Sequence, residues 1–199
     1  SSGLATGTIA SNTGGDLAVL TVTSVNAITG VVEFNVTHQY LDDGLATGNN
    51  TASDNSTITV TVADDDTGTV NKSETVTVNN VAPTLVLNAV TPINENGTAT
   101  VSGTFTDIGL QDVHTVTVAW GDANDATVSV FTLNPSSGLA TGTIASNTGG
   151  DLAVLTVTSV NATTGVVEFN VTHQYLDDGL ATGNNTAFDN STITVTVAD

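Results

Sequence analysis

Thr57-Ile58-Thr59-Val60-Thr61-Val62-Ala63-Asp64 alternates hydroxyl and branched apolar side chains with a period of two, and the same eight residues return as Thr192-Ile193-Thr194-Val195-Thr196-Val197-Ala198-Asp199. Successive side chains of a strand point to opposite faces, so this pattern puts Ile and Val on one face and Thr on the other. That is the signature of a half-buried antiparallel strand. The same alternation runs through Leu17 to Thr23, Val31 to Val36, Glu74 to Val78, Ala99 to Val101 and Thr115 to Val118. Between these runs lie Thr13-Gly14-Gly15-Asp16, Asn26-Ala27-Ile28-Thr29-Gly30, Asp42-Asp43-Gly44 and Asn94-Glu95-Asn96-Gly97, each with Gly, Asn or Asp able to take positive φ. No stretch has a helical period. Short strands separated by turn-formers predict an all-β sandwich.

The two octapeptides belong to a larger duplication. Residues 1–64 recur as 136–199 at a constant offset of 135, and only two positions differ, Ile28 against Thr163 and Ser53 against Phe188. A sandwich keeps its fold with little shared sequence, so near-identity over 64 residues points to a recent or actively homogenised tandem repeat. Its period is close to one whole domain. Residues 65–82 and 83–135 occur once each, so the chain spans about one and a half periods.

Composition narrows the function. Twenty acidic residues face a single Lys or Arg, for a net charge of -19, and there is no Cys. One cation, Lys72, cannot supply the basic face that phosphate backbones or anionic lipids require, which excludes nucleic acid and a membrane surface as partners. No apolar run approaches the roughly 20 residues of a membrane-spanning helix. The abundance of Val and Thr separates the chain from disordered acidic segments. Without Cys there are no disulfides or zinc thiolates, and stability must come from burial or from bound ions.

Three segments in order, Phe105 to Asp122 with its Trp120-Gly121-Asp122 end, Val171 to Gly179 with Thr172-His173-Gln174-Tyr175, and Thr192 to Asp199, resemble the PKD-type immunoglobulin-like domains that occur in tandem in large bacterial surface and adhesin-like proteins. In the first copy the second and third segments recur as Val36 to Gly44 and Thr57 to Asp64, followed by the linker-like Asn79-Asn80-Val81-Ala82-Pro83-Thr84. The resemblance implies immunoglobulin-like β-sandwich repeats, elaborated with about two extra strands in the stretch from Ser136 to Gly165. It divides the chain into 1–82, the C-terminal part of a first unit without its opening strands, and 83–199, a nearly complete second unit without its closing strand. It implies an extracellular or cell-surface spacer, adhesion or assembly module, and it brings no catalytic residues.

Calcium is the cofactor the acidic loops suit, because it takes six to eight hard oxygens. The candidate ligands are Asp42 and Asp43 with Asn49, Asn50 and Asp54; the run Asp64, Asp65 and Asp66; Asp107 with Asp112; and the second-copy residues Asp177, Asp178 and Asp189. Against this stands the ordinary role of Asp-rich turns in keeping a Thr/Val sheet soluble and its edges unpaired. His38, His114 and His173 lack a second His or Cys at ligand spacing and are expected in packing or hydrogen bonding. Trp120 is expected as a core anchor, with sugar stacking the alternative. No nucleophile elbow is present, nor a carboxylate pair in an apolar context, so enzyme activity is not expected. The expected function is a structural segment of an extracellular filament, stalk or adhesin that assembles with neighbouring copies of itself, with strand Thr69 to Asn79 completing a neighbour's sheet. The alternative is an adhesion module that binds a surface glycan or protein.

Overall fold

The computed structural model describes residues 5–10, 18–44, 51–134, 141–145, 153–179 and 185–199. The Thr13 to Asp16 turn and the candidate ligands Asn49 and Asn50 lie outside them. Among the described residues there are thirteen strands and no helix, so none is long and apolar enough to cross a membrane. The strands pair antiparallel throughout, as the alternating pattern requires.

Two compact units are present, Ser1–Leu41 and Asp42–Asp199. The first is the antiparallel sheet β1-β2-β3, from β1 (Gly7–Ala10), β2 (Val19–Asn26) and β3 (Val31–Thr37). Asn26 makes the β2–β3 turn: its Oδ1 accepts the N–H groups of Ile28 at 3.0 Å and Thr29 at 3.1 Å, and Gly30 closes it at φ 73°.

The second unit opens with the hairpin β4 (Ser53–Ala63) and β5 (Thr69–Asn79), paired from Ser53 opposite Asn79 to Ala63 opposite Thr69. There follow β6 (Thr84–Leu87), β7 (Thr98–Thr106), β8 (His114–Ala119), β9 (Val128–Leu133), β10 (Gly142–Ala145), β11 (Val154–Asn161), β12 (Val166–Gln174) and β13 (Thr194–Ala198). They build a five-stranded sheet β10-β11-β12-β7-β6 and a three-stranded sheet β13-β8-β9. Both sheets feed one core. Val101 and Phe105 of β7, Leu155 and Val157 of β11, and Val167, Phe169 and Val171 of β12 come from one sheet, and Val116, Val118, Phe131 and Leu133 from the other. Each such side chain contributes about 1.5–3 kcal/mol by leaving water, which makes this sandwich-like core the main source of stability. β10 and β11, both within the 136–165 stretch, lie at one end of the larger sheet.

The duplicated strands keep their local structure and differ in what covers them. β2 with β3 and β11 with β12 share the same register, including the same shift, between Val22 and Ser24 in one and Val157 and Ser159 in the other. On its other side β12 pairs with β7, from Val166 opposite Thr106 to Gln174 opposite Thr98, whereas β3 ends its sheet. The consequence is visible at identical side chains: Phe169 is 1% exposed and Phe34 39%, Val171 0% and Val36 48%. The last strand shows the converse. In the first copy residues 59–63 pair with β5; in the second the same residues, β13, pair with β8 and lie at a sheet edge.

Candidate cation site

The loop from β7 to β8 is organised by Asp107. Its Oδ1 accepts the N–H of Gly109 at 2.8 Å, its Oδ2 meets Nε2 of His114 at 3.0 Å, and its own N–H donates to the Gly165 carbonyl at 2.9 Å. Gly165 sits at φ 72°, and a Cβ there would lie 1.8 Å from the Asp107 carbonyl oxygen, so only glycine lets the β11–β12 turn approach this closely. The His114 ring is fully buried, and its Nδ1 donates to the carbonyl of Asp112 at 3.1 Å. Burial would raise the pKa of Asp107, but the hydrogen bonds from His114 and Gly109 and the charge on His114 outweigh it and hold the carboxyl below the usual range. Asp107, a candidate calcium ligand from sequence, is thus engaged in a buried His–Asp pair.

The His114 contact and a bond from the Asp112 N–H to the Gly109 carbonyl fix the Asp112 backbone, which leaves its carboxylate to face the bend at Asp42 and Asp43. Carboxylate oxygens of Asp42, Asp43 and Asp112 all lie within 4.8 Å of one another. Asp43 and Asp112 are buried, 8% and 7% exposed, and Asp42 is half-buried. Both side-chain oxygens of Asp42 and Oδ2 of Asp43 are shut off from solvent and have no hydrogen-bond partner among the described residues. Burial first, and then the charges of Asp42, Asp199, Asp107 and Asp43, push the Asp112 carboxyl up to about 6. Asp43 is raised as well, by burial, by contact with Asp42 and by the charges of Asp42 and Asp54.

In the second copy the equivalent Asp177 and Asp178 meet a different third acid, Glu95. Glu95 is exposed, and these acids border an open cleft of about 1050 Å³. The remaining candidates serve local turns. Asp54 and Asp189 accept hydroxyl bonds from Thr51 at 3.0 Å and Thr186 at 3.2 Å. Asp64 caps the β4–β5 turn through the N–H groups of Asp66 and Gly68, and Asp65 and Asp66 are exposed there. No known protein family, curated protein or solved structure matches this chain.

Sequence spacing pairs Asp42 and Asp43 with Asp54, and Asp107 with Asp112; the fold joins Asp42 and Asp43 to Asp112 instead. Glu95 belongs to a turn and had no acidic neighbour in sequence to mark it. Asp42, Asp43 and Asp112 all present carboxylates, so the cluster offers only hard oxygen donors, the set that suits calcium over zinc or copper.

The residues quoted for the PKD resemblance also converge. Trp120 is sealed in the core at 1% exposure, stacks on the His173 ring with centroids 4.8 Å apart, and donates from Nε1 to Ser129 Oγ at 2.7 Å. His173 Nε2 lies 3.1 Å from Asp122 Oδ2, and the Tyr175 hydroxyl donates to the Trp120 carbonyl at 2.6 Å. Gly121, at φ 65° with Thr192 backbone 2.5 Å from where a Cβ would be, lets the chain turn between Trp120 and Asp122. A Trp this buried has no ring face to offer a sugar.

Proposed function

We propose that this chain is a structural repeat segment of an extracellular filament, stalk or adhesin on a bacterial cell surface, built from PKD-type immunoglobulin-like sandwiches that join by strand complementation between copies. The observation that carries the proposal is the open edge of β13 beside the core, set against the paired edge of its duplicate in β4. The convergence of Trp120, Asp122, His173 and Tyr175 supports the immunoglobulin-like assignment.

Side-chain packing favours transfer of β5 to a neighbour. The β4–β5 hairpin is exposed along most of both strands, and an isolated two-stranded hairpin is marginal in water. Val60 and Val62 of β4 are 36% and 53% exposed, whereas their duplicates Val195 and Val197 are half-buried against the sandwich core. Residues 194–198 are identical to 59–63, so β5 of a neighbouring copy finds the same partners in the same register: Ser73 opposite Thr194 through Thr69 opposite Ala198. Five of the eleven backbone pairs of the hairpin, from Thr59 opposite Ser73 to Ala63 opposite Thr69, are remade on β13, and the strand gains a packed sheet beside it. Because donor and acceptor are different surfaces, the contact is heterologous and extends linearly.

The chain has no Cys, so an introduced pair reports one contact only. With Thr69→Cys and Ala198→Cys, directly opposite in the proposed register, mild oxidation is expected to give disulfide-linked dimers and longer ladders. Sedimentation of the unaltered chain should show mass rising with concentration. A folded chain that stays monomeric at every concentration, with cysteines that link only within one chain or not at all, overturns the proposal.

A further inference from the structure

We infer that Asp42, Asp43 and Asp112 form a binding site for one hard divalent cation, and that the cation is calcium. Asp-rich turns alone do not point to an ion, since water solvates them. The difference here is enclosure. Asp43 is more than nine-tenths buried, and three oxygens, two on Asp42 and one on Asp43, are inaccessible to solvent and accept no hydrogen bond among the described residues. Buried carboxylates in native folds are paired, hydrogen-bonded or bound to a metal. The single Lys or Arg of the chain, Lys72, is in β5 opposite Val60, and His114 already directs both ring nitrogens at Asp107 and the Asp112 carbonyl.

A proton shared between two of the acids would satisfy two of these three oxygens and leave the third unpaired. One cation addresses all three carboxylates together. The geometry admits it: oxygens bound to a common calcium at about 2.4 Å can be no more than about 4.8 Å apart, and those of Asp42, Asp43 and Asp112 fall within 4.8 Å of one another. The donors are oxygen only, which disfavours zinc and copper. Magnesium demands a rigid octahedron and retains several waters, whereas this site is largely closed to solvent. The bound ion would tie the start of the second unit to the β7–β8 loop, replacing mutual repulsion with a shared ligand.

Calorimetric titration of calcium into the full chain stripped of metal tests this, with thermal melting before and after addition of a chelator. Calcium binding and a raised melting midpoint are expected. Asp112→Asn and, separately, Asp43→Asn should each weaken the calcium affinity by about tenfold or more, because ligand charge sets affinity in such sites. Asp65→Asn, in a solvated turn, should leave it unchanged. The metal-free melts of the variants show whether they fold, and removal of one charge from the cluster is expected to leave them folded or to raise their midpoint. No calcium binding at millimolar concentration, binding that survives both Asp112→Asn and Asp43→Asn, or magnesium affinity equal to that for calcium overturns the inference.

Discussion

Asp107 shows how much one carboxylate can organise. It caps a turn, holds the His114 ring and receives the β11–β12 turn through Gly165, all while 1% exposed. Its pKa is lower folded than unfolded, so the ionised group adds stability that is present above the ordinary carboxylate range and is lost as pH falls below that range through the lowered folded pKa. Asp107→Asn should therefore cost about 1.5–3 kcal/mol at neutral pH and less at about pH 3, measured by urea unfolding at the two values. An equal loss at both would mean that the side chain acts through shape and not charge. The three-carboxylate cluster beside it was legible only in part. Asp42, Asp43 and Asp112 stood out as acids in loops, but their meeting joins positions some seventy residues apart, and no local spacing encodes that.

Elements repeat more faithfully than their surroundings do. β3 and β12 have the same sequence, register and neighbouring bulge, yet β12 is roofed by the β13-β8-β9 sheet and paired with β7, whereas β3 is a sheet edge. One substitution made at both positions separates propensity from packing. Phe169→Ala should cost about 3–5 kcal/mol, the range for a large side chain removed from a closed core, whereas Phe34→Ala should cost about 1 kcal/mol or less. Denaturant unfolding of the two variants checks this. Equal losses would show that the first-copy sheet is as fully covered in solution as the second. Strand existence, face and turn positions were readable from period-two patterning and from Asn26-to-Gly30-type turns. Partner choice was not, because the two copies present the same letters to different neighbours.

At the level of the molecule, a net charge of -19 sets the conditions for the proposed assembly. Copies of so acidic a chain repel at low ionic strength, and the screening length falls from about 30 Å at 0.01 M salt to about 8 Å at 0.15 M. Association by β5 and β13, which joins backbones and not opposite charges, should therefore strengthen as salt rises over that interval, as read by sedimentation mass. Weakening with salt would instead indicate contacts held by charge attraction.

By itself the sequence determined that this is an all-β chain with a 64-residue duplication, an acidic composition and no disulfides, because period-two alternation, repetition and composition are local properties. Tertiary structure decided which copy of each strand is buried, which acids converge and which edges stay open. The physical reason is that burial and charge proximity depend on what lies across a sheet or a loop, and two stretches of the same residues have different answers to that question when only one of them has a partner sheet.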